Sequence, residues 1–351
     1  MVPRAKKALL ARVLNHTRRH MATPPQVPGS RPYITVVQYN CLADGLSGGD
    51  AGFDSLPPDE MAWPKRGFEL TRKIIDADAD VVCLQEVDHY HDTFRPALHA
   101  QGYDGVYRED EWSPCIKTTD GKLADGVAIF YKREKLELLG MHVPFTPRDV
   151  KVPPIEERRD AGKCLVARFR MRAPIEQRRG PGWRDYTCAK LDFIVATLHL
   201  ASEKNEEGVK RREAQALCAM KEILTFKAMS GAGREDRLSP IVVAADLNAQ
   251  PHEPAVEVFK KLGLMSCYAR HIRAEPLFTT WKIRTGPYKP GEAKMTIDYI
   301  FAQHSAFDVY DVLAMPRSDE LGPKGLPCRG HPSDHLMLKA SLEFVVPVAD
   351  P

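Results

Sequence analysis

From residue 33 onward the alternation of apolar and polar positions breaks the chain into short strand-like runs, separated by loops and a few helices. Tyr33 to Tyr39 (YITVVQY) alternates with the two-residue period of a half-buried strand. Further strands are expected at Val81 to Leu84, Gly126 to Tyr131, Cys164 to Phe169, Phe193 to His199, Ile241 to Ala245, Met295 to Phe301 and Leu336 to Phe344. The spacing predicts helices over Glu69 to Ala77 and over Glu206 to Met229, the second with Val209, Leu217, Met220, Ile223 and Leu224 on a helical period. Many strands with interspersed helices indicate an α+β fold or a layered sandwich flanked by helices. Two long loops, Glu109 to Asp125 and Val143 to Lys163, have the length of functional or mobile segments.

A hydrophobic content of 43% over 351 residues supplies ample material for a core and excludes whole-chain disorder. No run approaches 18 uncharged apolar residues, so no integral membrane association is expected. The formal net charge of +3 hides an asymmetry, because seven basic residues and no acid precede Asp44. The remainder is mildly acidic, and global charge gives no argument for binding long nucleic acid. Residues 1–21, with Leu9, Leu10, Val13 and Leu14 at helical spacing among the bases, suit either a mitochondrial targeting peptide or a disordered basic tail. Residues 22–32 read as a Pro-rich linker and residues 33–347 as the folded domain. The location expected is therefore cytoplasmic or mitochondrial, and the state monomeric. Eight cysteines without zinc-ligand spacing fit a reducing compartment. Arg178, Arg179 and Arg184 sit on a Gly/Pro hairpin tip and read as a solvated turn.

The chemistry shows in one repeated coincidence: apolar runs end in, or contain, a hard polar side chain. Val-Val-Cys-Leu leads to Gln85-Glu86, Val-Val-Ala-Ala to Asp246-Leu-Asn248, and Phe-Ile-Val-Ala-Thr-Leu to His199. Tyr33 to Tyr39 ends at Asn40, Asp298 stands in the core of an apolar run, and Ser333-Asp334-His335 precedes Leu-Met-Leu. A buried carboxylate without a partner costs several kcal/mol or neutralises itself. Several such groups are explained together if strand ends converge on one ion and one hydrogen-bond network. Oxygen ligands without clustered cysteines point to Mg²⁺, with Mn²⁺ as a substitute. Asp298 needs a buried partner, and a histidine whose tautomer it would fix is the simplest one.

Asn40, Leu84-Gln-Glu86-Val87, Thr197-Leu-His199, Asp246-Leu-Asn248, Thr296-Ile-Asp298-Tyr299 and Ser333-Asp-His335 stand in the order of the endonuclease/exonuclease/phosphatase superfamily, which the span from Tyr33 to Phe344 resembles. Within it, LQEVDHYHDTFR, EWSPC, TTWKIRT and LGPKGLP are similar to the branch of nocturnin and the carbon-catabolite-repressor type deadenylases. The resemblance implies a four-layer α/β/β/α sandwich of two packed mixed sheets, with the site at one end of the sheets. It implies a metal site of Glu86, Asn40 and Asp334, and catalytic roles for Asp246, His335, Asp298 and His199. Asn248 and Arg284 are then substrate-binding. Trp63 and Arg66 match the start of the helix before the metal strand, and Arg212 and Gln215 match residues near the site. The implied function is Mg²⁺-dependent phosphoester hydrolysis on an RNA 3′ end or an adenine nucleotide, with 3′-5′ exoribonuclease chemistry first. Alternatives are removal of the 2′-phosphate of NADP(H), action on another small nucleotide, and a catalytically inactive scaffold.

The chain departs from that branch at three places. Ala201 and Glu203 stand where relatives place a lysine and an arginine after the His-Leu pair, and Asp110 where they place another lysine. Those bases would grip an extra phosphate, each contact contributing about 1.5–3 kcal/mol. Lys204, Lys210 and Arg211 are the nearby replacements.

Overall fold

A computed structural model of the chain describes residues 31–48, 52–144, 162–172, 191–229, 239–286 and 290–345. The basic N-terminal segment, nearly all of the Pro-rich linker, the Arg178/Arg179/Arg184 tip and most of the Val143 to Lys163 loop lie outside the described residues. Six strands form the first sheet: β1 (Tyr33–Asn40), β2 (Val81–Val87), β3 (Tyr103–Glu109), β4 (Gly126–Lys132), β13 (Phe307–Val312) and β14 (Leu338–Phe344), in the order β13-β14-β1-β2-β4-β3. The second comprises β5 (Leu136–His142), β6 (Lys163–Met171), β7 (Asp192–His199), β8 (Ile241–Asp246), β9 (Leu264–Ser266) and β12 (Asp298–Gln303), in the order β5-β6-β7-β8-β12-β9. A separate hairpin pairs β10 (Thr280–Arg284) with β11 (Gly291–Met295).

The inner faces of the sheets meet over Ile34, Val36, Val81 and Cys83 on one side and Leu165, Val195, Val242 and Ile300 on the other. The outer face of the first sheet, with Val37, Tyr39, Val82 and Leu84, is covered by helix α1 (Trp63–Ala77) through Leu70 and Ile74. The outer face of the second is covered by α2 (Glu206–Met229) through Ala219, Met220 and Ile223, and by α3 (Pro254–Lys261) through Val256 and Phe259. These are the four layers. They form because successive strand side chains point to opposite sides, and both sides of each central strand are apolar.

Two expectations need correction. The first helix starts at Trp63, earlier than Glu69, because Pro64 occupies its first turn and costs no internal hydrogen bond there. Met295 to Phe301 is not one strand: Met295 ends β11, and Asp298 begins β12 rather than lying in a strand's centre. Between them the chain passes from hairpin to sheet, and the Thr279 hydroxyl takes up the N–H groups of Ile297 (3.0 Å) and Asp298 (3.1 Å).

Candidate active site

The inward-facing row of each central strand changes from apolar to polar toward the same end of the sandwich. In β1 it runs Ile34, Val36, Gln38, Asn40; in β7, Phe193, Val195, Thr197, His199; in β8, Val242, Ala244, Asp246. The antiparallel strands β6 and β12 enter at this end, so their polar residues come first. Pairing places Lys163 opposite His199, His199 opposite Asp246, and Asp246 opposite Asp298, one continuous row across four strands. Residues more than a hundred positions apart in sequence thereby share one face.

Glu86 breaks the alternation. The β2–β4 register shifts between Leu84 and Val87, and Glu86 has φ 53°, a left-handed conformation that costs an ordinary residue about 1–2 kcal/mol. The kink turns Glu86 toward the site although Gln85 beside it already points inward, where it donates to Thr197 Oγ1 (2.9 Å). Asn40 then ties the carboxylates together: its Nδ2 donates to Glu86 Oε1 and to Asp246 Oδ2, each at 2.9 Å. Its Oδ1 accepts from the Leu42 N–H (3.0 Å), so the amide presents nitrogen, not oxygen, to the cluster. His199 Nε2 lies 3.7 Å from Asp246 Oδ2 and 3.9 Å from Glu86 Oε1.

Asp298 is fully buried and takes three donors: Gln38 Nε2 (2.9 Å), Thr279 Oγ1 (2.6 Å) and His335 Nδ1 (2.9 Å). The ring of His335 is thereby fixed, with Nε2 3.8 Å from Asp246 Oδ2. Burial opposes a charge on His335, but Asp298, Asp246 and Asp334 together outweigh it and raise the imidazole to about 9, with Lys282 pulling the other way. Burial also opposes the Asp246 charge, yet His335, His199 and the Asn40 amide hold that carboxyl below the ordinary carboxylate range. Asp334 meets Lys282 Nζ at 2.8 Å and Arg284 at 3.7 Å, and against its burial Lys282 and His335 hold it well below that range.

Asn248, also left-handed at φ 51°, caps Asp246 through its backbone N–H (2.9 Å). Its side chain is occupied at both ends, donating to the Leu200 carbonyl (3.1 Å) and accepting from Lys204 Nζ (3.2 Å). Arg284 lies over the Phe53 ring at 4.7 Å on the same side as Asp334. Arg66 is buried and donates to the carbonyls of Cys41 (3.0 Å) and Leu42 (2.6 Å), fixing the turn after Asn40. Arg212, paired with Glu253 (2.6 Å), donates to the carbonyls of Ala201 (3.3 Å) and Glu203, and Gln215 accepts from the Ala201 N–H (2.9 Å), so both hold the loop that follows His199.

Asp246, Asp298 and His335 bring potential ligand atoms within 4.8 Å of one another. Both Asp298 oxygens and His335 Nδ1 are spent on each other and on Gln38 and Thr279, which makes this trio a hydrogen-bonded relay rather than a cation cage. The better oxygen donors lie beside it: Asp334 Oδ1 is buried without a hydrogen-bond partner, 4.0 Å from His335 Nε2, and Glu86 Oε2 accepts only a long contact from Ala43 N–H (3.3 Å). An all-oxygen set of this kind fits a hard divalent ion. The site opens into a groove of about 3300 Å³, with Trp112, 77% exposed, on its lining.

Sequence reasoning missed Lys282, Lys163, Gln38 and Thr279. Lys282 sits 3.2 Å from His335 Nε2, and Lys163 meets Asp110 at 3.3 Å and bonds the buried Asp125. A polar residue at an inward position of an otherwise apolar strand face was the available signal for Gln38.

A family model described as the Endonuclease/Exonuclease/phosphatase family matches residues 37–335. Nocturnin of Homo sapiens is 29% identical over 323 residues, covering 90% of this chain and 67% of that protein. The human Nocturnin catalytic domain with bound sulfate anion superposes with a TM-score of 0.62 at 26% identity, covering 90% of this chain and 94% of that one. ANGEL2, described as a 2′,3′-cyclic phosphatase, shares the fold at a TM-score of 0.66 and 21% identity, covering 90% of this chain and 97% of its own.

Proposed function

The chain belongs to the Endonuclease/Exonuclease/phosphatase family, whose members are phosphoester hydrolases, and on that premise we propose that it is a Mg²⁺-dependent hydrolase of adenylate-containing phosphoesters, acting as a 3′-5′ exoribonuclease. The observation that carries this reading is the pair of carboxylates, Glu86 and Asp246, bridged by Asn40 beside a histidine oriented by Asp298. Asp246, kept ionised by its neighbours, aligns the attacking water and takes its proton. His335 and His199 contact the phosphate oxygens, and the Asp298 carboxylate keeps the His335 proton arrangement fixed while charge develops. Glu86 and Asp334 would hold the divalent ion, with Mn²⁺ as a substitute, and its charge would neutralise the phosphate oxygens in the transition state. Asn40 positions the two carboxylates rather than ligating through its oxygen. An open groove with an exposed Trp112 accommodates a strand end whose base stacks on the indole.

The test is a panel of oligo(A), mixed-sequence RNA, NADP⁺ and NADPH with the purified protein and Mg²⁺, and a Glu86→Ala control. Stepwise shortening of oligo(A) that the control abolishes is the expected result. Phosphate release from NADP⁺ without RNA shortening would replace the exonuclease reading by the nucleotide phosphatase one. Turnover retained by the Glu86→Ala protein would remove Glu86 from the metal site.

A further inference from the structure

The cations around Asp246 are mostly committed to acids. Lys163 is held by Asp125 and Asp110, Lys282 and Arg284 by Asp334, and Arg211 by Glu203 (2.9 Å). Lys204 differs. Its ammonium rests on two neutral oxygens of Asn248, the backbone carbonyl at 3.1 Å and the side-chain amide at 3.2 Å, with no carboxylate at ion-pair distance among the described residues. It lines the groove together with Asp246 and Asn248, on the loop just after His199.

The neighbouring rim positions carry no such charge. Ala201 is apolar, Glu203 is spent on Arg211, and Asp110 faces Lys163. An anion at the Asp246 and Asn248 side of the groove therefore meets, in Lys204, a cation whose present partners are poorer acceptors than a phosphate oxygen, since a charge-assisted hydrogen bond to an anion is about twice as strong as one to a neutral carbonyl. Partial burial lowers the Lys204 ammonium to about 8, a shift that a bound anion would reverse.

We propose that Lys204 is the phosphate-gripping residue of this groove, leaving Asn248 to bind a non-bridging oxygen of the substrate phosphate and thereby setting the substrate affinity of this chain. This rests on the hydrolase reading above and deepens it: the site takes a substrate through a single phosphate at the reacting end, without a second phosphate held at the Ala201, Glu203 and Asp110 positions.

Two measurements separate the inference from the reading it rests on. Inorganic phosphate binding is measured by calorimetry on wild type, Lys204→Met, Lys204→Arg and the exposed control Lys221→Met, which lies outside the groove lining, and oligo(A) kinetics are measured on the same set. Lys204→Met is expected to weaken phosphate binding and raise KM about ten- to a hundredfold while kcat changes less than about threefold. Lys204→Arg recovers most of the loss, Lys221→Met behaves as wild type, and thermal unfolding is unchanged. Phosphate affinity unaltered in a folded Lys204→Met protein would overturn the inference, and so would a loss of stability with affinity intact, which marks a loop anchor. A wild type that binds phosphate through Lys204 but turns over none of the RNA or nucleotide substrates would overturn the hydrolase reading and leave the inference standing.

Discussion

Replacing Asp298 by Asn removes one charge from the relay at almost constant volume. Three donors converge on the Asp298 carboxylate, from Gln38, Thr279 and His335, and each finds an oxygen lone pair. An asparagine offers one oxygen and one NH₂, so at least one donor then faces another donor. If His335 yields, its Nδ1 must give up its proton to accept from the asparagine, and the imidazolium that Asp298 favours is lost. Its remaining proton then sits on Nε2, 3.2 Å from Lys282 Nζ, itself a donor, so the neutral ring finds no acceptor there. Losing a hydrogen bond between charged groups in a buried site costs about 1.5–3 kcal/mol of stability. Loss of the acid that fixes a catalytic imidazole's tautomer costs up to about 10⁴ in kcat. We expect kcat on the turned-over phosphoester to fall by about 10² to 10⁴, with KM changed far less. Urea unfolding checks the stability loss. His335→Ala and the Asp298→Asn/His335→Ala double variant complete the cycle: if Asp298 acts through His335, the double variant is no slower than His335→Ala alone. An Asp298→Asn enzyme within about threefold of wild-type kcat, or a double variant that loses a further order of magnitude, would refute the relay.

Glu86→Ala and Glu86→Gly should both lose at least about 10³ in activity, but glycine accepts the left-handed backbone at φ 53° without strain. Thermal unfolding should therefore find the Gly variant more stable than the Ala variant by about 1 kcal/mol. Lys163→Ala leaves the buried Asp125 carboxylate without its cation and is expected to destabilise the protein by about 3–5 kcal/mol in urea unfolding. Adding Asp125→Asn to it should recover part of that loss. His89 stacks on Trp63 and lies 3.0 Å from Asp92 and 3.7 Å from Asp44, and against its burial those acids raise it to about 9 from 6.5. Because the folded protein holds this proton more tightly than the unfolded chain, the contribution is complete below pH 6.5 and fades as the pH rises through about 9. Wild type should lose on the order of 2 kcal/mol more than His89→Gln across that range in chemical unfolding curves.

Much of this molecule is written locally. Periodicity located β1, β2, β4, β6, β7 and β8, because a central strand buried on both faces is a nearly continuous apolar run. Edge strands such as β3, β5 and β13, half exposed and mixed in composition, carry no comparable run and were not legible. The hard polar residues at the ends of the apolar runs were visible too, since an acid in such surroundings must have a reason to be there.

The chain alone specified which residue types stand at the strand ends, and the resemblance supplied their grouping. Their meeting is a product of pairing register and of two sheets packed face to face. Lys163, His199, Asp246 and Asp298 form one row only because β6 and β12 run opposite to β7 and β8, so that strand beginnings meet strand ends. Which atom of Asn40 faces the carboxylates, that Lys282 reaches His335, and that Lys204 leans on neutral oxygens are likewise settled by distances across elements. A one-dimensional pattern holds the identity of a side chain and the face it takes within its own strand. Neighbours across a sheet or between sheets depend on long-range contacts that such a pattern does not encode.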